Sequence, residues 1–285
     1  MARLKALFIA LYPVAALLIC LHALGRWWPD GHWLWLGVVL VNAPILALLA
    51  WLLGRGPART SPHLPAVTLC AWLGAAVTLL GTLALGDPRP LAWLYTALGL
   101  LGMCAYLFWY SPMQRDPARG PQPGRLLPPL SFRDLRGRLR SSGDLHGRPA
   151  VLLFFRGNWC PICMAQVREL ARRRPQLERR GARIVLISAQ PGKRTERLAR
   201  RLGLELEWWL DDDLRAAAAL DILDRGGTPL GLELFGYGPD TVLPTVLITD
   251  ARGEIRYVDL ADNYRVRPEP SVFLRVLDNM APVPR

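Results

Sequence analysis

The chain has 285 residues, 52% of them hydrophobic and 20% charged, with 11 tryptophans and a net charge of +12. Residues 1–130 hold nine Lys/Arg against three Asp/Glu and residues 131–285 hold 26 against 20, so the excess is spread at about +6 per half. Arginines of "RELARRRPQLERR" recur with glutamates on what reads as the outer face of a helix, which excludes a nucleic-acid site and leaves a solvated face that can brush anionic lipid headgroups.

From the N-terminus, the stretches Ala6 to Gly25, Gly31 to Gly54, Thr60 to Gly86 and Pro90 to Gln114 contain no Asp, Glu, Lys or Arg. Each holds the ~20 apolar residues that a helix needs to cross a bilayer core about 30 Å thick. The reading is a transmembrane domain over residues 1–114 with helices at about 6–25, 31–54, 64–86 and 90–110. Trp27, Trp28, Trp33, Trp35, Trp51, Trp93 and Trp109 fall near the expected ends, as interfacial aromatic belts do. The first stretch is longer than a signal-peptide core and lacks a small-residue cleavage site after it, so it reads as retained. Bulky Leu18 and Ile19 before Cys20 argue against lipid modification there.

Arg3 and Lys5 precede span one, Arg55 and Arg59 lie between spans two and three, and Arg115, Arg119 and Arg125 follow span four. The other two loops offer only Arg26 and Arg89. The positive-inside rule therefore puts both termini in the cytoplasm of a bacterial-type inner membrane. The reverse orientation would put the C-terminal domain on the outer, periplasmic face.

Residues 111–130 form a semi-rigid linker, with prolines at 112, 117, 121, 123, 128 and 129. In the domain at 131–285, Pro149–Phe155 is a continuous apolar run suited to a buried strand. Cys160–Arg180 reads as a helix, Arg183–Ser188 as a strand, Arg194–Leu204 as a helix and Glu205–Asp211 as a short strand. A helix over Leu214–Leu220 follows, then two strands within Pro244–Leu260 around the turn Asp250-Ala251-Arg252-Gly253, and a last helix at Ser271–Asn279. Strands alternating with helices, then an antiparallel pair, imply a mixed α/β sheet with helices on both faces.

Within "FFRGNWCPICMAQVREL" (Phe154–Leu170), Cys160 stands at a strand-to-helix junction. Helix N-terminal N–H groups and the helix dipole stabilise a thiolate there. Cys163 falls on the same helical face, within reach of a disulfide, and Pro161 suits the first turn. A structural zinc normally takes four ligands, and the soluble half has only His146, which reads as a solvated turn residue. Two inert buried thiols fit poorly on a glycine-containing approach to a helix start, so the pair reads as redox-active, with no metal and no cofactor expected.

"WCPIC" after a buried strand, with "TVLPTVLITD" about eighty residues on, resembles the thioredoxin fold. With "ISAQPGKRTERLARRLGL" and "LPTVLITDARGEIRYVDLADNYRVRPEP", the chain from about 128 to 280 looks like the alkyl hydroperoxide reductase and thiol-specific antioxidant group, in its peroxiredoxin-like branch with an "RGxWCPxC" site. That resemblance implies a thioredoxin-like fold for this domain, which follows the four transmembrane helices read above, a cis-proline at Pro244 preceded by Leu243, and antioxidant activity. Two departures stand out. The Pro-x-x-x-Thr-x-x-Cys pattern of peroxiredoxins meets Leu153 and Gly157 here, and the buried Asp of thioredoxin meets Phe154.

The expected mechanism is disulfide exchange: Cys160 is the nucleophile, Cys163 resolves, Trp159 shapes the surface beside the sulfur, Arg156 offers positive charge and Pro244 receives the substrate backbone. The partners are a protein or small-molecule disulfide, an external thiol reductant and the lipid bilayer, with no nucleic acid. The alternatives are a thiol peroxidase that reduces hydroperoxides with the same cysteines, and a non-catalytic redox sensor. Cys20, Cys70 and Cys104 read as small apolar packing residues, with a relay from Cys70 and Cys104 to the dithiol as the sharper possibility. Gly226–Asp240 can wall the site, and Asp262–Pro270 reads as an exposed turn.

Overall fold

A computed structural model describes residues 2–86, 89–116, 118–203 and 206–280. Pro117 of the linker, Leu204 at the expected end of a helix and Glu205 at the expected start of a strand lie outside the described residues. The chain divides into two compact units, one of Leu4–Gly56 with Thr60–Pro112, the other of Met113–Arg285 with Met1–Arg3 and Pro57–Arg59.

The first unit is built from α1 (Ala2–Asp30), α2 (Leu34–Arg55), α3 (Pro65–Leu85) and α4 (Pro90–Cys104), the last running on as a π-helical turn over Ala105–Tyr110. Four segments, Arg3–Pro29, Leu34–Gly54, Pro65–Leu85 and Pro90–Tyr110, are long and apolar enough to cross a membrane. Small residues bring α2 and α3 together: a Cβ on Gly74 would lie 2.6 Å from the Gly37 carbonyl oxygen, the close backbone approach that packs helices where lipid removes the hydrophobic drive. Asn42, fully buried on α2, donates to the Val38 carbonyl at 3.0 Å. Trp28, Trp33 and Trp51 are exposed, whereas Trp35 is buried against Leu34 and Val38 and is a packing residue of the bundle.

The second unit is a seven-stranded sheet in the order β2-β1-β5-β4-β3-β8-β9. Its strands are β1 (Ser131–Asp134), β2 (Leu139–Ser141), β3 (Ala150–Phe155), β4 (Arg183–Ser188), β5 (Glu207–Leu210), β8 (Thr245–Thr249) and β9 (Ile255–Asp259); β6 (Leu223–Asp224) and β7 (Thr241–Val242) form a small separate pair. β3 runs parallel to β4 and β4 to β5, while β8 and β9 are antiparallel. β3 has neighbours on both sides and is covered on both faces, which is why its six residues are all apolar and all buried. Leu152 and Phe154 point to the face where Phe132, Val185, Ile187, Trp209 and Leu247 form the core, closed by Ala216 and Ala217 of α7 (Arg215–Ala219).

On the other face Phe155 meets Trp208 edge-on at 6.2 Å. There α5 (Pro161–Glu178) packs on α8 (Pro270–Asp278), and Phe273 meets Tyr257 at 6.2 Å. α6 (Gly192–Leu202) begins two residues before the sequence reading and is stopped by Gly203 in the left-handed conformation. The strands β1 and β2 were not anticipated. With helices on both faces of a mixed sheet, this is the thioredoxin-like fold. The linker is strapped along it at three points: the N–H groups of Met113, Gly124 and Leu127 donate to the carbonyls of Asp262, Ile255 and Gly253 at 2.7, 2.8 and 2.9 Å, which covers the start of β9.

Candidate active site

β3 ends at Phe155 and α5 begins at Pro161, so residues 156–160 must turn from strand to helix in five positions. Cys160 takes the cap of α5 with extended backbone (φ −89°, ψ 106°), Pro161 occupies the first turn, and the Cys163 N–H donates to the Cys160 sulfur at 3.3 Å. The sulfur thus occupies the position of a capping oxygen, facing N–H groups that have no partner inside the helix. Cys160 is 4% exposed and Cys163 fully buried, and all five cysteines of the chain are free thiols.

The two thiols are driven in opposite directions. The hydrogen bond from the Cys163 thiol is the main cause that brings Cys160 down to about 6; Arg156, the Cys163 N–H and Arg267 add to it, and burial opposes. Burial pushes Cys163 well up, reinforced by its bond to the Cys160 sulfur and by the charge there. Both shifts favour one arrangement, a thiolate on Cys160 with the proton on the deeper Cys163 sulfur.

Arg156 donates to Asp224 at 3.0 Å and to the Gly227 carbonyl, while its guanidinium carbon lies 5.0 Å from the centre of the Trp159 ring. Trp159 is half-buried and lies in the turn itself, beside Gly157. Gly157 has φ +154°, and a Cβ on it would meet the Trp159 Nε1 at 2.7 Å and the Gln190 Oε1 at 3.1 Å, so only glycine fits this turn. The Asn158 N–H donates to Gln190 Oε1 at 2.8 Å, and Gln190 is held by its own Nε2 donating to Thr195 at 3.2 Å. Tyr237 donates to the Asn158 side chain and lies under Arg194, 4.2 Å from its ring centre. The segment Gly226–Asp240 thereby forms a wall of the site, one of the two readings open from its sequence.

Pro244 lies at the same end of the sheet, because the register Phe154↔Thr245 sets it alongside Phe155. The resemblance implied a cis bond before it; among the described residues there is no cis peptide, and Leu243–Pro244 is trans. The trans form is intrinsically favoured by ~0.5–1 kcal/mol, and here the neighbouring carbonyls have partners. The Thr245 hydroxyl donates to the Leu243 carbonyl at 2.8 Å, while Arg115 donates to Thr245 Oγ1 at 2.9 Å and to the Pro244 carbonyl.

Several site residues were not anticipated. Arg115 was a topology marker in the sequence and instead reaches the entrance of β8; burial, and then the charge of Arg267, pulls it down to about 10. Asp262–Pro270, expected as an exposed turn, buries Arg265 completely and Arg267 to 3% exposure. Asp259 of β9 is also buried, and burial raises its carboxyl against the pull of the Ala261 N–H, Arg267 and Arg115. No group of three or more His, Cys, Asp or Glu among the described residues is arranged to hold a metal ion.

Residues 123–258 match the AhpC/TSA family. No curated protein matches the chain. Among solved structures it is similar to the peroxidoxin BcpB from Mycobacterium tuberculosis, at 17% identity and a TM-score of 0.47 over 56% of this chain and 98% of that one. It is also similar to a yeast mitochondrial 1-Cys peroxiredoxin, at 16% and 0.46 over 55% and 75%. A thiol peroxidase from Chromobacterium violaceum matches at 13% and 0.46 over 56% and 87%. The domain at the C-terminal end of the chain is that of a thiol-dependent oxidoreductase.

Proposed function

We propose that the protein is a membrane-anchored thiol–disulfide oxidoreductase whose redox pair is Cys160 and Cys163. The observation that supports this is the division of labour between the sulfurs: the Cys163 N–H points at the Cys160 sulfur across 3.3 Å, and the two thiols are shifted in opposite directions. The Cys160 thiolate attacks a substrate disulfide, forming a mixed disulfide and releasing one thiolate. Cys163 then gives up its proton and attacks the Cys160 sulfur, which closes the Cys160–Cys163 disulfide and releases the second thiolate. An external thiol reductant returns two electrons to complete the cycle. Trp159 and the Gly226–Asp240 wall bound the approach to the sulfur, and Pro244 flanks it at the sheet end.

The four apolar helices anchor the domain at a membrane, and the distribution of arginines favours the cytoplasmic side. The decisive experiment uses the full chain in detergent with a model disulfide, following adduct masses. Cys163→Ser should accumulate the mixed disulfide and Cys160→Ser should form none. Turnover by Cys160→Ser removes the proposal.

A second reading, hydroperoxide reduction, is favoured by the AhpC/TSA match over residues 123–258. In it the Cys160 thiolate takes the terminal oxygen of the peroxide as sulfenic acid, releasing an alcohol or water, and Cys163 condenses with it to the disulfide with loss of water. Gly157 in place of the threonine hydroxyl weighs against it. Stopped-flow mixing with peroxide separates the two: oxidation no faster than that of a free low-pKa thiol leaves disulfide exchange as the activity.

A further inference from the structure

Gln190 follows the end of β4, and the register Phe155↔Ser188 sets it at the same end of the sheet as the turn that leads to Cys160. It is 2% exposed, and both ends of its side chain are engaged. Oε1 accepts from the Asn158 N–H at 2.8 Å, and Nε2 donates to Thr195 Oγ1 at 3.2 Å. Thr195 near the start of α6 and Ser188 on β4 are fully buried with their hydroxyls 2.8 Å apart, and the Gln190 N–H donates to Ser188 Oγ at 3.2 Å. The amide is therefore fixed in orientation, because the Asn158 N–H can only donate.

This buried network ends on the turn that carries the nucleophile. The turn is closed on itself by the Cys160 N–H, which donates to the Gly157 carbonyl at 3.2 Å. Gly157 gives it the backbone freedom that a tight turn needs, and that freedom has to be restrained from elsewhere. Asn158 supplies the restraint: its N–H goes to Gln190 and its side chain accepts from Tyr237, the latter bond exposed to solvent. Two residues on, Cys160 accepts at its carbonyl from the Met164 N–H at 3.0 Å and at its sulfur from the Cys163 N–H. The sulfur keeps this place only while the turn enters α5 at the observed angle.

We propose that Gln190 is a positioning residue for the Cys160 sulfur, fixing Asn158 so that the turn of residues 157–160 presents the sulfur at the cap of α5. The inference rests on the reading of Cys160 as the attacking sulfur. Methionine at 190 has the same length but leaves the Asn158 N–H without its acceptor. Glutamate keeps an acceptor there but adds a buried negative charge near the place where the thiolate forms. The two substitutions thus separate position from charge.

The test mixes the reduced full-length protein, in detergent and well below its melting temperature, with an aromatic disulfide whose released thiolate is coloured. Stopped flow across pH gives a limiting rate, reached when Cys160 is fully ionised, and a pH midpoint. Gln190→Met should lower the limiting rate by roughly tenfold or more, as a small misplacement of a reacting group does, and raise the midpoint as the sulfur leaves the helix N–H groups. Gln190→Glu should keep the limiting rate within about threefold of the parent and raise the midpoint alone. Where Gln190→Met does not fold, Thr195→Val carries the same test: it releases the far end of the amide and should lower the limiting rate by about threefold or more. An unchanged limiting rate in the folded variant, or an equal loss in Gln190→Met and Gln190→Glu, overturns the proposal. A lowered Tm with unaltered rate and midpoint assigns Gln190 to stability alone and overturns it too. A reactive parent with an indifferent Gln190→Met fails this inference only; a parent whose Cys160 does not attack the disulfide fails the redox reading, and the inference falls with it.

Discussion

Arg156 and Asp224 face each other at 3.0 Å, joining the turn after β3 to the small β6–β7 pair. The carboxylate holds the arginine in place and at the same time offsets part of the positive charge that acts on the Cys160 sulfur. Removing the arginine and removing its partner should therefore have opposite effects. Arg156→Met should raise the Cys160 titration by about one pH unit, and Asp224→Asn should lower it by less than that. The pH dependence of iodoacetamide alkylation reads both. Shifts in the same direction would show that Asp224 acts on Cys160 chiefly by orienting Arg156.

Stability of the reduced protein should depend on pH through the same two sulfurs. Cys160 is held down to about 6 in the fold against ~8.5 for an unperturbed cysteine. Its contribution is full above the unfolded value and is lost as pH falls through 6. Cys163 is raised, so its contribution is present below the unfolded value and lost as pH rises beyond it. Urea denaturation of the dithiol form should show stability climbing from pH 5 toward about 8.5 and then declining. In Cys160→Ala the climb should flatten.

Gly157→Ala places a methyl group 2.7 Å from the Trp159 ring nitrogen at a φ that L-residues avoid. We expect a loss of about 1–3 kcal/mol, read as a drop in Tm. Mixed-disulfide formation should slow about tenfold as the turn tilts Cys160 away from its helix cap, the rate equivalent of ~1.4 kcal/mol. A normal rate with a lowered Tm would assign Gly157 to folding alone.

With the four apolar helices taken as the proposed membrane anchor, the side on which the domain lies can be read from the strap. Arg119 is 77% exposed in its side chain and Arg125 is exposed too, so both are open to trypsin. In inverted vesicles trypsin should release the domain, and in right-side-out vesicles, where only the loops with Arg26 and Arg89 face out, it should leave the domain joined to the last helix. The opposite pattern would put the dithiol in the oxidising compartment, where a separate donor must keep it reduced.

What could be read from the sequence was whatever depends on near neighbours. The unbroken apolar run Ala150–Phe155 marked the central strand, and a cysteine followed by proline marked the helix cap. β1 and β2 escaped notice because "SFRDLRGRLRSS" alternates arginine with small and apolar residues, and short charged strands at the flank of a sheet look like a loop. Arg115, Asp259 and Arg267 escaped for another reason. A charged residue is buried only when distant segments supply its surroundings, and nothing in "DNYRVRPEP" announces those segments. The isomer of the Leu243–Pro244 bond is likewise set by its tertiary surroundings, and analogy alone gave the opposite answer.

The strap of residues 113–130 also makes the two flanks of the sheet unequal. At the start of β9 the N–H and carbonyl of Ile255 already have partners in Arg125 and Gly124, and just before it Leu127 donates to Gly253 and Leu126 bridges Glu254. The strap thus occupies the place where a further strand would begin to pair. The opposite flank ends in the three residues of β2, with Leu139 76% exposed and Arg140 beside it. Growth of the sheet from chain to chain would thus be hindered on one side by the strap at the start of β9, and on the other by a strand too short and too charged to hold a second molecule in register.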